Sequence, residues 1–209
     1  MTTIDSSLFL RTKTAEVRLV SPSSGAVPRA VTPEDRALVV MTDFKQRSPV
    51  TVDSNVPLGQ ALITMMNSGV RLLFVLDAGS RLVGLVSSYD IQGEKPIRYL
   101  QSQGSTHRTS RHDDVRVGDI MEPRDAWHVL TFDQVRRATV ADILSTFKQT
   151  GRSHLVVIEP GDGPGRYVVR GLISATQVGK QLGMALELHG AAATFAELEE
   201  ALNGGHVLA

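Results

Sequence analysis

Cysteine is absent from the chain. That removes disulfides, thiolate nucleophiles and Cys-ligated zinc together, and it fits a reducing cytoplasm, where the protein is expected to act. Aromatic residues make up only 5%, so the core has to be built from Val, Leu, Ile, Ala and Met. Neither sign of charge is in excess: 22 Lys and Arg balance 22 Asp and Glu. No overall field draws the chain to polyanions or anionic lipid, so neither a nucleic acid nor a membrane is expected as a partner. No apolar run approaches the roughly 18–20 residues needed to span a bilayer. The start, Met1-Thr2-Thr3-Ile4-Asp5, lacks the basic and apolar regions of a signal peptide. Nucleophile–base pairs, metal-ligand clusters and Walker-type loops are also missing. Gly161-Asp162-Gly163-Pro164-Gly165 is glycine-rich but precedes a strand and carries no lysine, so it is a hairpin turn. No enzyme activity, cofactor or metal is expected.

What is present, in 209 residues that are 42% hydrophobic and 21% charged, is a globular chain that says something twice. Pro49-Val50-Thr51-Val52 is extended. Asp53-Ser54-Asn55 offers N-cap residues, with Pro57 in the first helical turn. Leu58, Ala61, Leu62, Met65 and Met66 recur at helical spacing and Gly69 stops the helix. Val70 to Asp77 and Leu82 to Val86 form a hairpin, and a second helix is expected from Ser88 towards Leu100, weakened by Gly93 and Pro96. The second copy aligns Met121 with Met41, Leu58 with Val140, Ala61 with Ile143, Leu62 with Leu144, Met65 with Phe147, Gly69 with Gly151 and Gly84 with Gly171. The extra residues of the second copy fall in its hairpin loop, where a structural repeat absorbs them. A helix after Gln177 is expected to reach about His189, and Thr194-Phe195-Ala196-Glu197 reads as a capping box opening a short last helix.

Each unit therefore reads strand–helix–strand–strand–helix, an α/β (α+β) architecture of two β-α-β-β-α repeats. The expected organisation is an N-terminal arm over 1–38, repeat 1 over 39–100, a polar linker over 101–114, repeat 2 over 115–190 and a C-terminal helix and tail over 191–209. One such repeat buries little surface alone; two packed together make one core.

Asp119-Ile120-Met121-Glu122-Pro123, the two helix stripes ending in Gly69 and Gly151, and Gly84-Leu85-Val86-Ser87-Ser88-Tyr89-Asp90 together resemble a tandem pair of cystathionine-β-synthase-type (CBS) domains, a Bateman module, over roughly residues 39–190. The resemblance implies pseudo-two-fold packing with clefts between the repeats. It implies an adenosine-containing regulatory ligand: AMP, ADP, ATP or S-adenosylmethionine. It also implies a homodimer formed through helices, or signalling to a separate protein partner. A ligand-free dimerisation or interaction scaffold is the alternative.

Candidate site residues follow from the same stretches. A carboxylate can accept from both hydroxyls of a ribose, and Asp90 stands at a strand-to-helix turn suited to that. Ser87 and Ser88, with the first N–H groups of the helix, can hold a phosphate or ribose oxygen. In the family pattern Ser87 and Asp90 take such roles, and adenine lies near the extended segment containing Thr51 and Val52. Ser-x-x-Asp is equally a helix N-terminal box. In the second copy Ser174 and Gln177 stand in those places, and the neutral amide makes capping the leading reading for Gln177. Arg71, Arg152 and His154, at the starts of the inner strands, are candidate phosphate contacts. Lys95 and Arg98 read as plain surface, and Trp127 as packing. His107 and His112, in the linker, lack the rigid frame of a metal site. The expectation is asymmetric: occupancy at Asp90 first, with less or none at Gln177.

Overall fold

The computed structural model describes residues 10–11, 16–19, 30–102 and 114–183. Expectations for His107, His112, the helix at 194–202 and most of the arm lie outside them. Strands β1 (Leu10–Arg11) and β2 (Glu16–Leu19) lie within the arm. The chain divides into two compact units, one containing 48–127 and the other 20–47 with 128–209.

In the first of these, β4 (Thr51–Asp53) runs parallel to β5 (Leu72–Leu76), which pairs antiparallel with β6 (Leu82–Ser87), which pairs antiparallel with β7 (Glu122–Pro123). Helix α1 (Leu58–Ser68) connects β4 to β5 and turns Leu58, Ala61 and Met65 into the core. β5 is apolar over its whole length because it is central, with both faces covered. Gly69 takes φ 65° at the end of α1, the left-handed position that glycine adopts without a Cβ penalty. Pro57 is the N-cap residue of α1, one place before the expected first turn. Asp53 instead folds an Asx turn onto the N–H of Asn55 at 2.7 Å, and the N–H of Leu58 is satisfied by the carbonyl of Val115 at 3.2 Å. At the hairpin, Asp77 lies below the usual carboxylate range because the Arg81 backbone N–H, then its guanidinium, donate to it.

The other unit repeats the order. β8 (His128–Thr131) runs parallel to β9 (His154–Pro160), which pairs antiparallel with β10 (Arg166–Ser174), which pairs antiparallel with β3 (Thr42–Asp43). Helix α6 (Val140–Thr150) buries Val140, Ile143, Leu144 and Phe147 and ends at Gly151 with φ 62°. A helix not anticipated from sequence, α5 (Phe132–Arg137), precedes it, capped by Thr131 and Gln134.

The two leading segments are exchanged. Residues 37–43, at the start of the expected first repeat, complete the sheet of the second; α4 (Val117–Ile120) and β7, at the start of the expected second repeat, complete the sheet of the first. The hydrogen bonds match: Leu58 N–H to Val115 in one unit, Val140 N–H to Asp35 (2.8 Å) in the other. Gly84 and Gly171 admit these segments. A Cβ on Gly84 would meet Met121 Sδ at 2.6 Å, and one on Gly171 would meet the Thr42 carbonyl at 2.6 Å and Met41 Sδ at 2.9 Å. Around Gly171 the join is polar: Arg170, buried against the Phe132 ring at 4.6 Å, pairs with Asp43 and with Glu159 at 3.1 Å.

The single helix expected after Ser88 is two. α2 (Ser88–Gln92) stops at Gly93, whose N–H closes onto the Tyr89 carbonyl at 2.8 Å, and α3 (Lys95–Ser102) starts afresh with Pro96 in its first turn. A proline there needs no N–H partner. Likewise α7 (Ala175–Leu182) ends at Gly183, φ 72°, short of His189. Among the described residues no helix is long and apolar enough to cross a membrane.

Candidate functional site

At the end of β6 the chain turns into α2 through a complete capping box. The Ser87 N–H and hydroxyl both donate to Asp90 Oδ2, at 2.8 and 2.6 Å, and the Asp90 N–H donates back to the Ser87 hydroxyl at 3.2 Å. These bonds hold one oxygen of the carboxylate and fix the plane of the group. The other oxygen, Oδ1, accepts from Lys95 Nζ at 2.6 Å. Lys95 is therefore not plain surface: the break at Gly93 lets the first residue of α3 face Asp90. Arg98 does remain on the surface, paired with Glu94.

Four sequence candidates meet around this turn. The Ser88 N–H donates to the Arg71 carbonyl at 2.9 Å, and the Arg71 guanidinium donates to the Tyr89 hydroxyl at 3.2 Å. Arg71, Ser87, Ser88 and Asp90 thus share one edge, where β5 begins opposite the end of β6. Thr51 and Val52 sit on β4 opposite Phe74 and Val75. Val52 is buried, and the carbonyl of Val50 is used by the N–H of Phe74 at 3.0 Å, so that backbone acceptor already has a donor.

The remaining four candidates belong to the other unit. Ser174 lies opposite His154 across the β9–β10 ladder. His154 Nδ1 is 3.0 Å from Ser153 Oγ, and the Arg152 guanidinium is 3.2 Å from His128 Nδ1. His128 and Ser153 were not candidates in the sequence; neither stands in a motif. Gln177, in the first turn of α7, does not form the expected box, since Ser174 makes no side-chain cap bond. The backbone explains this. Ser174 has ψ 127°, whereas the working caps Thr131, Ser87 and Thr139 have ψ 149°, 163° and 169°. A less extended ψ turns the side chain away from the N–H groups of the first turn.

Trp127 is packing. It is 1% exposed, stands edge-on to Phe74 with ring centres 6.2 Å apart, and donates from Nε1 to the Glu122 carbonyl at 3.3 Å. No cluster of three or more His, Asp or Glu suited to a metal ion occurs among the described residues.

Residues 40–94 match the family model described as CBS domain. Among solved structures the chain is similar to an uncharacterized conserved protein from Pyrococcus horikoshii, at 17% identity, covering 75% of this chain and 98% of that one, with a TM-score of 0.49. It is similar to the CBS-domain containing protein ATU1752 from Agrobacterium tumefaciens, at 20% identity, covering 66% and 86%, with a TM-score of 0.45. It is also similar to the CBS-pair protein CBSX2 from Arabidopsis thaliana, at 23% identity, covering 70% and 92%, with a TM-score of 0.42. No curated protein matches the chain.

Proposed function

We propose, from the premise that residues 40–94 are a CBS domain whose element order recurs in the second half of the chain, that this protein is a regulatory module for an adenosine-containing ligand. The ligand is AMP, ADP, ATP or S-adenosylmethionine, and the output is a homodimer or a separate protein partner. The observation that carries the reading is the Asp90 carboxylate: one oxygen is pinned by Ser87, and the other, among the described residues, is held only by a half-exposed lysine. A carboxylate whose plane is fixed in this way can accept from a ribose diol on Oδ1 once the lysine yields, and a ligand that binds one state of the module better than another supplies the switch.

Asp90→Asn is the test, because the amide oxygen can still accept from Ser87 and keep the cap while the charge is gone. Its affinity for the bound nucleotide is expected to fall about tenfold, the loss of one charge-assisted bond. Titration calorimetry of the wild type and the variant reads it. Equal affinities would remove Asp90 from the site.

The scaffold reading is favoured by a different observation, the outer face of α1. Ile63 and Met66 are 51% and 73% exposed. Their repeat-related places on α6 hold Ser145 and Lys148, so this face is apolar in one unit only. We place the homodimer contact on α1. Met66→Glu is expected to convert dimer to monomer in sedimentation velocity without a change in circular dichroism. A wild type that is already monomeric at tens of micromolar (~10⁻⁵ M, well above the Kd of a stable dimer) would rule this contact out.

A further inference from the structure

We propose that Lys95 is a specificity determinant of the Asp90 site, selecting adenosine ligands that carry phosphate over the neutral nucleoside and over S-adenosylmethionine. This rests on the reading of Asp90 as diol acceptor and names the class of ligand that site takes. Asp90 Oδ2 is committed to the Ser87 N–H and hydroxyl, so a diol has to dock on Oδ1. Lys95 Nζ stands there, at 2.6 Å. A ligand that uses Oδ1 displaces the ammonium and leaves it without its counter-charge.

What the ligand brings next decides the balance. A phosphate offers acceptor oxygens to the displaced ammonium, and the four-carbon stem of lysine lets it swing from carboxylate to phosphate. A nucleoside offers no anion. S-adenosylmethionine carries a carboxylate, but its sulfonium and ammonium outweigh it and bring a net positive charge beside a lysine that has just lost its partner. The exchange is open kinetically and energetically because the pair is not sealed: the Lys95 side chain is 48% exposed and that of Asp90 17%. Half-exposed ion pairs are weak, and water can replace either partner. The helix break puts the lysine in position. Gly93 ends α2, the chain turns back through Glu94, and Pro96 is buried in the first turn of α3, which anchors Lys95 next to the cap.

The experiment is titration calorimetry of AMP, adenosine and S-adenosylmethionine against wild type, Lys95→Met and Asp90→Asn. Methionine keeps the length of the side chain and removes the charge. Wild type is expected to bind AMP at least about tenfold tighter than adenosine, one charge-assisted contact. In Lys95→Met adenosine should bind more tightly than to wild type and AMP less tightly, so that the preference collapses. An AMP-to-adenosine ratio unchanged in Lys95→Met overturns the proposal while leaving the Asp90 reading standing if Asp90→Asn weakens all ligands. Asp90→Asn binding as well as wild type overturns both, and so does a wild type that binds none of the three and neither ADP nor ATP.

Discussion

Trp127→Ala is expected to lower the stability of the unit containing 48–127 by about 3–5 kcal/mol, the range for truncating a large aromatic in a core. The side chain is 1% exposed, lies against Phe74, and is the chain's one tryptophan. Its removal opens a cavity that the surroundings cannot refill, because the residue sits between two fixed things. On one side is β5, the central strand of the sheet. On the other is β7, held by the bond from the indole to the Glu122 carbonyl. Trp127→Phe keeps most of the buried area and the edge contact but loses that bond, so it should cost roughly 1–2 kcal/mol. Urea unfolding followed by far-ultraviolet circular dichroism measures both variants, since neither keeps an indole to report by fluorescence. If alanine costs no more than phenylalanine, Trp127 is not a core residue.

Sequence reached most of this structure through local signals. The stripes of α1 and α6, the terminal glycines and the two hairpins are each set within about twenty consecutive residues, and each appears where its pattern lies. What escaped was non-local or hung on a backbone angle. The exchange of the leading segments pairs Thr42 with Leu172 and Glu122 with Leu85, partners no periodicity connects. The bond from Lys95 to Asp90 depends on α2 ending at Gly93; on a continuous helix the two residues, five apart, would point in different directions. Ser87-x-x-Asp90 and Ser174-x-x-Gln177 have the same form in sequence, yet only the first caps, and ψ at the serine is the backbone angle that separates them. Helix α5 had a legible signal, the capping box of Thr131 and Gln134, hidden by its position directly after a strand. At the candidate site the residues of the capping turn were legible and the lysine that covers them was not.

Gly171→Ala is expected to cost about 3 kcal/mol, at the upper end of the overpacking range, for the addition of a single methyl group. The position lies in β10 beside the register shift between Val169 and Gly171, and its φ is outside the left-handed region, so the cost is steric. The nearest atom to the new Cβ, at 2.6 Å, is the backbone oxygen of Thr42, which cannot retreat while β3 stays paired with β10. If β3 withdraws, Asp43 leaves Arg170, and a buried guanidinium keeps only Glu159 as counter-charge. Gly84→Ala makes the same test in the other unit with a different first contact, Met121 Sδ at 2.6 Å, ahead of the Glu122 carbonyl at 2.8 Å. A thioether is the flexible end of a side chain, so Met121→Ala should recover part of the loss at Gly84. Met41→Ala should recover little at Gly171, where a carbonyl is the obstacle. Chemical-denaturation curves for wild type, the four single variants and the two double variants decide it. Equal rescue at both positions, or no loss at either, would mean that the exchanged strands do not approach these glycines as closely as the structure has them.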